Sequence, residues 1–401
     1  MGNTVRSDMN GGRKTIVVSA VNIRKGGTLT ILRDCLSYLS SLPADEYRIV
    51  ALVHRKSLVE YPGIDYIEKP DCIKGWLRRL WCEYVTMHRI SEELQPVDLW
   101  FSLHDTTPRV IAKRQAVYCQ TSFPFFKWKM QDLRFDVKIV LFALFTRFAY
   151  QVNIKRNRYL VVQTDWLRDG FSKMFGIPKN RFIVCPPEKK PVEFTKMDIG
   201  DEVYTFIFVS TPDCHKNFET LCKAASELEH RVGTGRFKVV LTIKGDENKY
   251  SRWLHDRFGT VSSMDFEGLM PKDKLYSYYE CADCLVFPSR VETWGLPITE
   301  FAPTGKPMLL ADLPYAHETA AGCRKVAFFN PESPADLADK MEALLRSTTA
   351  DKMEASLSSY EASTTVQQPD AFLSPVPAKT ITPPLARTWH DLFDQLLNDE
   401  D

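Results

Sequence analysis

The chain has 401 residues, 44 % of them hydrophobic and 26 % charged, with a formal net charge of +1. That length exceeds one compact core and suits two domains of ordinary size, and the near-neutral balance speaks against nucleic acid or a strongly acidic partner. No apolar run reaches the roughly 18 residues that a membrane-spanning helix needs; the longest candidate, residues 139–145, is soon cut by Arg147. Residues 1–14 are polar, lack the apolar core of a signal peptide and read as a disordered start, and Arg6 breaks the myristoylation pattern. Ten cysteines lie scattered without framework spacing, which fits a reducing cytoplasm. Cys281 and Cys284 have no second pair and no histidines near them, so they read as structural thiols with no metal.

In chain order, 15–20 is a buried strand rich in β-branched residues, followed by a loop at 21–27 and a helix with apolar positions Leu29, Leu32, Leu36 and Leu39. Further strands are predicted at 47–53, 99–103 and 116–119, with helical stretches between them such as 76–94. An apolar helix at 137–150 and a strand at 159–163 follow. The alternation implies a parallel sheet covered on both faces. It breaks in a polar Lys/Glu/Pro stretch from about 184 to 201, the best linker candidate. It then restarts with strand 204–210, helix 217–228, strand 237–243, a short strand at 265–267, helix 273–280, strand 284–288, strand 307–311 and helix 334–345. Residues 347–384, rich in Ser, Thr, Ala and Pro, read as irregular in part, and 385–398 as a last amphipathic helix. Two α/β domains are therefore expected, at 15–190 and 191–384, with a ligand in the cleft between them at the carboxyl ends of the strands.

The most informative segment runs from Ser289 to Glu300 (Ser-Arg-Val-Glu-Thr-Trp-Gly-Leu-Pro-Ile-Thr-Glu). Glu292 lies in a strand-to-helix loop. Pro297 suits a helix start, and Glu300 falls about one turn further on. Amides around Gly295 and Leu296 at a helix N-terminus favour a phosphate. Glu300 could accept both hydroxyls of a ribose, and Glu292 could reach a sugar beyond the phosphates. The bland alternative is a solvated helix start that carries two acids.

With Phe-Pro-Ser before it and Gly-Leu-Pro inside it, the segment resembles the E-x7-E motif of retaining family 4 glycosyltransferases, of the group 1 type found in bacterial polysaccharide assembly. The resemblance covers nearly the whole chain. It implies the GT-B fold, in which two Rossmann-like doubly wound domains face a central cleft and the C-terminal helix, here 385–401, crosses back to the first domain. It also implies these site residues. Gly26 and Gly27 match the glycine-rich loop after the first strand. Lys216, in His-Lys-Asn, matches the lysine that holds the donor diphosphate, whereas the family's arginine is missing near Ser210 and Thr211, leaving Arg290 as a substitute cation or a surface residue. Gln120 stands where many relatives have a histidine, and can hydrogen-bond a sugar hydroxyl but cannot carry a proton. His104, beside Asp105, is either a catalytic-side polar group or a satisfied structural histidine. Phe266, Glu267 and Gly268 resemble the strand end that reads the base, or form a simple turn.

By the same resemblance, the donor is a UDP- or GDP-linked hexose acting as co-substrate, with no cofactor and no metal. The acceptor is a saccharide or a lipid-linked saccharide of the O-antigen or capsule kind, and nucleic acid is not a partner. The alternatives are a non-catalytic GT-B-like binding or scaffold subunit and, less well matched, a nucleotide-sugar epimerase. From Lys127 to Arg158, eight Lys/Arg stand against two Asp, an excess suited to anionic lipid. Either Phe142, Phe145 and Phe148 face the sheet as core, which is the favoured reading, or this region touches the inner face of the cell membrane peripherally, chiefly through 125–129.

Overall fold

The computed structural model describes residues 12–188, 203–357 and 372–398, so most of the expected disordered start and of the expected linker lie outside the described residues, although Lys14 already belongs to the first strand. The first half runs β1 (Lys14–Ala20), α1 (Gly26–Ser40), β2 (Tyr47–Val53), β3 (Ile64–Glu68), α2 (Trp76–Trp81), α3 (Met87–Glu93), β4 (Leu99–Ser102), β5 (Arg114–Tyr118), α4 (Met130–Phe135), α5 (Val137–Gln151), β6 (Tyr159–Val162), α6 (Asp165–Phe175) and β7 (Phe182–Val184). The second half runs β8 (Tyr204–Phe208), α7 (Phe218–Val232), β9 (Phe237–Leu241), α8 (Lys249–Phe258), β10 (Met264–Phe266), α9 (Lys272–Cys281), β11 (Cys284–Phe287), α10 (Leu296–Phe301), β12 (Met308–Ala311), α11 (Pro314–Thr319), β13 (Val326–Phe329) and α12 (Pro334–Leu357), before a final α13 (Trp389–Asn398).

The strands form two parallel sheets, ordered β3-β2-β1-β4-β5-β6-β7 and β10-β9-β8-β11-β12-β13. Because helices cover both faces of such sheets, the central strands read as unbroken apolar runs: β1 is buried from Thr15 to Ala20 and every residue of β11 is buried. In each sheet the order reverses once, between β1 and β4 and between β8 and β11. Loops leaving strands on either side of such a reversal diverge and open a crevice at the carboxyl ends. The GT-B architecture of two Rossmann-like domains is therefore present.

Contacts divide the chain into two units. One comprises 1–121, 147–188 and 381–401; the other comprises 122–146 and 189–380. The units differ from the expected bounds at two places, since 381–384 packs with the first unit and 122–146 with the second. Asp132 pairs there with Arg290, Gln131 donates to Glu219 at 2.9 Å, and Phe135 meets Tyr250 and Trp253. The return of the last helix to the first unit holds. Ala386 N–H donates to Val184 O at 2.9 Å, and Trp389, Leu392, Phe393 and Leu396 join the core of α1, β1 and β4, with the Phe393 ring 5.6 Å from Phe101.

Other expectations also change. Edge strands β3, β7 and β13 and helices α4, α6, α8 and α11 escaped the pattern reading. β3 (Ile-Asp-Tyr-Ile-Glu) exposes Asp65 and Glu68 and only half-buries the rest, so it lacks an apolar run, whereas α8 places Tyr250, Leu254 and Phe258 at helical spacing in a segment that is otherwise polar. α12 continues to Leu357, past the point where irregular chain was expected. Cys72 and Cys82 form a disulfide with Cα atoms 5.8 Å apart, a pairing that the scattered cysteine spacing did not suggest. Phe142, Phe145 and Phe148 face outward; the inner side of α5 is Val140, Ala143, Thr146 and Tyr150. In 125–129, Phe126 is buried and Lys129 pairs with Glu332, which leaves Lys127 and Trp128 as its exposed residues.

Phe393→Ala should lower unfolding stability in urea by about 3–5 kcal/mol, the usual loss for a truncated buried phenylalanine. A loss below about 1 kcal/mol would mean that α13 is not part of the first core.

Candidate functional site

In the second unit, β8 and β11 flank the order reversal, and the loops that leave them carry the two expected donor-site residues. After β8 the chain makes a single 3-10 turn, Cys214–Lys216, closed by Lys216 N–H donating to Asp213 O at 2.9 Å. Asn217 follows in the left-handed region at φ 62°, which asparagine tolerates better than most residues. Its buried amide donates to Pro288 O at 3.1 Å and Pro331 O at 2.9 Å, while its oxygen accepts from Thr220 at 2.9 Å. Asn217 therefore ties the Lys216 turn to the end of β11. The sequence showed this asparagine beside the lysine, but nothing local reveals the two distant carbonyls.

After β11 the loop is pinned at several points. Tyr315 donates to Ser289 O at 2.7 Å, Arg290 N–H to His215 O at 2.8 Å, and the Thr319 hydroxyl to Trp294 O. Gly295 has φ +90°, a conformation that favours glycine, and a Cβ there would sit 3.2 Å from Ile298 Cδ1 and 3.3 Å from Phe287 Cε1, so those side chains would have to give slightly. α10 then begins at Leu296 but is only six residues long, so its dipole is weaker than a long helix would supply.

Within this frame Lys216 Nζ lies 2.6 Å from Glu292 Oε1, both side chains mostly buried. The expected phosphate-binding cation and the expected sugar-facing carboxylate thus form a direct ion pair. Glu300 is near Tyr279, whose hydroxyl is 3.4 Å from Oε2. Burial pushes the Glu300 carboxyl up from its ordinary range, with Lys272 and Tyr279 opposing. Gly268 turns the chain after β10 at φ +80° and is buried, with Phe266 and Glu267 half-buried. Glu267 accepts from Lys274 at 3.1 Å, so its side chain is committed to that lysine.

Arg290, expected either as a substitute cation or at the surface, is instead buried and engaged within the second unit. Its guanidinium makes a two-pronged pair with Asp132, at 2.6 and 3.1 Å, with the side chains 4 % and 0 % exposed. It also donates to Cys214 O at 2.9 Å and lies over the Phe126 ring at 4.9 Å. Burial opposes its charge, but Asp132 more than offsets this and the pKa rises. Beside it, Glu219 is buried with its pKa raised by desolvation, held by Tyr250 and Gln131.

In the first unit, the loops after β1 and β4 flank the other reversal. Gly26 opens α1 at φ +70°, and both Gly26 and Gly27 are exposed. His104 is fully enclosed. Nε2 is 2.9 Å from Ser19 Oγ and Nδ1 2.9 Å from Thr106 Oγ1, with Arg79 and Glu83 beside them. Burial, then Arg79, holds its pKa well below the usual value. His104 thus has both ring nitrogens engaged and is held neutral, which fits the structural histidine of the two alternatives. Asp105, at φ 68°, accepts from Gln120 N–H. Desolvation raises its carboxyl to about 7. The Gln120 side chain is buried, its amide donating to Leu103 O at 2.8 Å while Oε1 has no protein partner.

Comparison with known proteins adds to this geometry. Residues 189–363 match the family described as Glycosyl transferases group 1. The O-antigen chain mannosyltransferase RfbU of Salmonella typhimurium is 20 % identical over 178 residues, covering 44 % of this chain and 48 % of that one, so the chain spans about half the length of this curated relative. Among solved structures, Anabaena Alr3699/HepE in complex with UDP and glucose superposes with a TM-score of 0.59 at 14 % identity, covering 84 % of this chain and 91 % of that one. WaaG, a glycosyltransferase involved in lipopolysaccharide biosynthesis, does so with a TM-score of 0.59 at 15 % identity, covering 86 % and 95 %. At these identities the likeness establishes the fold.

Replacing one partner of the buried pair, as in Arg290→Met or Asp132→Leu, should cost about 3–5 kcal/mol in urea unfolding, while the double replacement should cost clearly less than the sum. Additive losses would mean that the two side chains do not interact. A second check concerns pH. Because the folded Asp105 carboxyl titrates near 7 and an unfolded one near 4, the folded state keeps a proton across that window, and stability falls as pH rises through it. Asp105→Asn should flatten the fall in Tm between about pH 4 and 7; an unchanged slope would place the titration elsewhere.

Proposed function

We propose, from the match of residues 189–363 to the group 1 glycosyltransferases and the likeness of the fold to GT-B structures, that the protein is a retaining, metal-independent hexosyltransferase. It takes a hexosyl unit from a UDP- or GDP-linked sugar and passes it to a saccharide or lipid-linked saccharide in surface-polysaccharide assembly, working on the cytoplasmic side of the membrane. The observation that carries the reading is the Lys216–Glu292 pair at the β8/β11 reversal. A mostly buried ammonium held beside a carboxylate is a preorganised place for a charged group, because low surrounding polarity strengthens its field.

In this reading the diphosphate takes the Lys216 ammonium from Glu292, with the amides of Gly295 and Leu296 on the same anion. Glu292, released from the lysine, turns to the sugar and steadies positive charge at the anomeric carbon. Glu300 accepts the ribose hydroxyls, and its desolvated carboxyl gains partners there. The 266–268 strand end meets the base through its backbone, since the Glu267 side chain is occupied. In the first unit, Gln120 has a buried carbonyl without a protein partner, and an unmade bond of that kind costs about 1–3 kcal/mol, so it is a place for a hydroxyl donor. The C1–O bond to the leaving diphosphate breaks as the acceptor oxygen bonds C1 on the same face, and the acceptor's proton passes to the departing phosphate oxygen. The Anabaena neighbour's complex with UDP and glucose and the O-antigen relative's description support donor and acceptor class.

A second reading is a subunit that binds without turnover. The absence of the family's arginine and the mutual engagement of Lys216 and Glu292 favour it.

Calorimetric titration with UDP, GDP and their hexoses separates the roles. Glu300→Ala should weaken nucleotide binding at least about tenfold, whereas Glu292→Gln should keep binding and lose roughly a hundredfold or more in turnover. Equal loss of binding in both variants would overturn this division.

A further inference from the structure

α2 is a six-residue helix whose Leu77, Leu80 and Trp81 are 83 %, 46 % and 61 % exposed, so apolar burial by these side chains does little to hold it. Two other ties do. At its entry the 3-10 turn Pro70–Ile73 carries Cys72, and at its exit Cys82 opens a π-helical turn, Cys82–Thr86. The disulfide between them is buried in the cluster that includes Val17, Val50, Leu52 and Trp100. The second tie is the mostly buried Arg79. Its guanidinium pairs with Glu83, and Nη2 lies 3.3 Å from His104 Nδ1 and donates to His104 O at 3.4 Å. Glu83 also accepts from the Thr106 hydroxyl at 2.8 Å. α2 therefore delivers a cation to side chains at the carboxyl ends of β1 and β4, where the order of the first sheet reverses. Elsewhere Cys35, Cys119, Cys185, Cys214, Cys222 and Cys284 are buried thiols, so this bridge is no part of a stapled framework. A bridge set among thiols is the usual arrangement of a redox-sensing pair.

We propose that Cys72–Cys82 is a reversible redox clamp. Closed, it keeps Arg79 seated on His104; opened by a dithiol reductant, it frees the stretch from Pro70 to Trp81 and withdraws that cation from the carboxyl end of the first sheet. Opening exchanges one bridge for another. A thiolate of the reductant attacks one sulfur, which breaks the Cys72–Cys82 bond and forms a mixed disulfide, and its second thiol then displaces the cysteine. The dithiol leaves as a disulfide, having given two electrons, and Cys72 and Cys82 each end as a protonated thiol. Both sulfurs are buried while the clamp is closed, so attack requires α2 to lift. Segments with few buried apolar contacts open locally at low cost, and α2 is one of them. Burial and then Arg79 hold His104 neutral; with both relieved, the imidazole returns towards its ordinary titration. The clamp stands independently of the glycosyltransferase reading.

Full-length protein purified without reductant and then treated with dithiothreitol, or with thioredoxin and its reductase, tests it. The bridge should open without denaturant, giving two additional thiols that a maleimide label reveals by mass. Trypsin should then cut after Arg78 and Arg79 about tenfold faster or more, while the far-ultraviolet circular-dichroism spectrum stays that of the oxidised protein. The His104 ring should begin to titrate at about pH 6.5 by NMR, and oxidised glutathione should reverse all three changes. Cys72→Ser/Cys82→Ser should resemble reduced wild type and ignore the reductant; if that variant does not fold, the wild-type comparison gives the same readouts. No sugar or donor is present, so a failed donor assay would bear only on the enzymatic reading. A bridge that resists both reductants in the folded protein, a reduction that leaves trypsin cleavage and His104 unchanged, or cysteines that never pair on oxidation would each overturn the proposal.

Discussion

The arrangement of the second unit rests on the buried pair of Arg290 and Asp132. Two charges taken out of water are stable only when their geometry is good and their remaining hydrogen-bonding groups are used. Here both terminal guanidinium nitrogens reach the carboxylate, one of them also reaches Cys214 O, and Asp132 accepts the Lys129 amide at 2.7 Å, while Arg290 Nε is buried without a protein partner. One ion pair therefore joins three pieces of chain: the 122–146 segment, the turn that ends in Lys216, and the loop that carries Glu292. Without it, the Lys216 and Glu292 loops would keep Asn217 and the Arg290 backbone as direct ties, but not the common anchor.

That dependence reassigns the charges. Sequence reasoning sought a replacement for the family's arginine and found one two residues before Glu292. The structure uses Arg290 as a fixed internal strut, which leaves Lys216 as the cation of the candidate site. The lysine in turn is neutralised by Glu292, so this crevice holds little net charge until an anion competes for the ammonium. A multiply charged diphosphate can do so, while a neutral sugar cannot, and this ordering favours nucleotide sugar over free sugar.

Much was legible in the residues themselves. β1, β2 and β11 announce themselves as apolar runs because both faces of a parallel sheet are covered, and the glutamate spacing located the loop and short helix after β11. α13 was legible because its apolar positions form one stripe. What failed was long-range. Arg290 cannot be read as a strut when its partner stands 158 residues away, and His104 reveals its enclosure only through Ser19, Arg79 and Glu83. α5 failed differently: with apolar residues all round, periodicity tells which side chains share a face but not which face is covered. The phenylalanines looked like the core, and the smaller side took that place.

The central claim is that the Lys216–Glu292 crevice activates a nucleotide sugar. Incubating wild-type protein with UDP- and GDP-hexoses without acceptor, and following the anomeric signals by NMR, tests it most directly. The account predicts slow release of free hexose that first appears in the donor's own anomeric configuration. Nucleotide that binds with no turnover across donors and acceptors, or a sugar altered at another carbon, would contradict it.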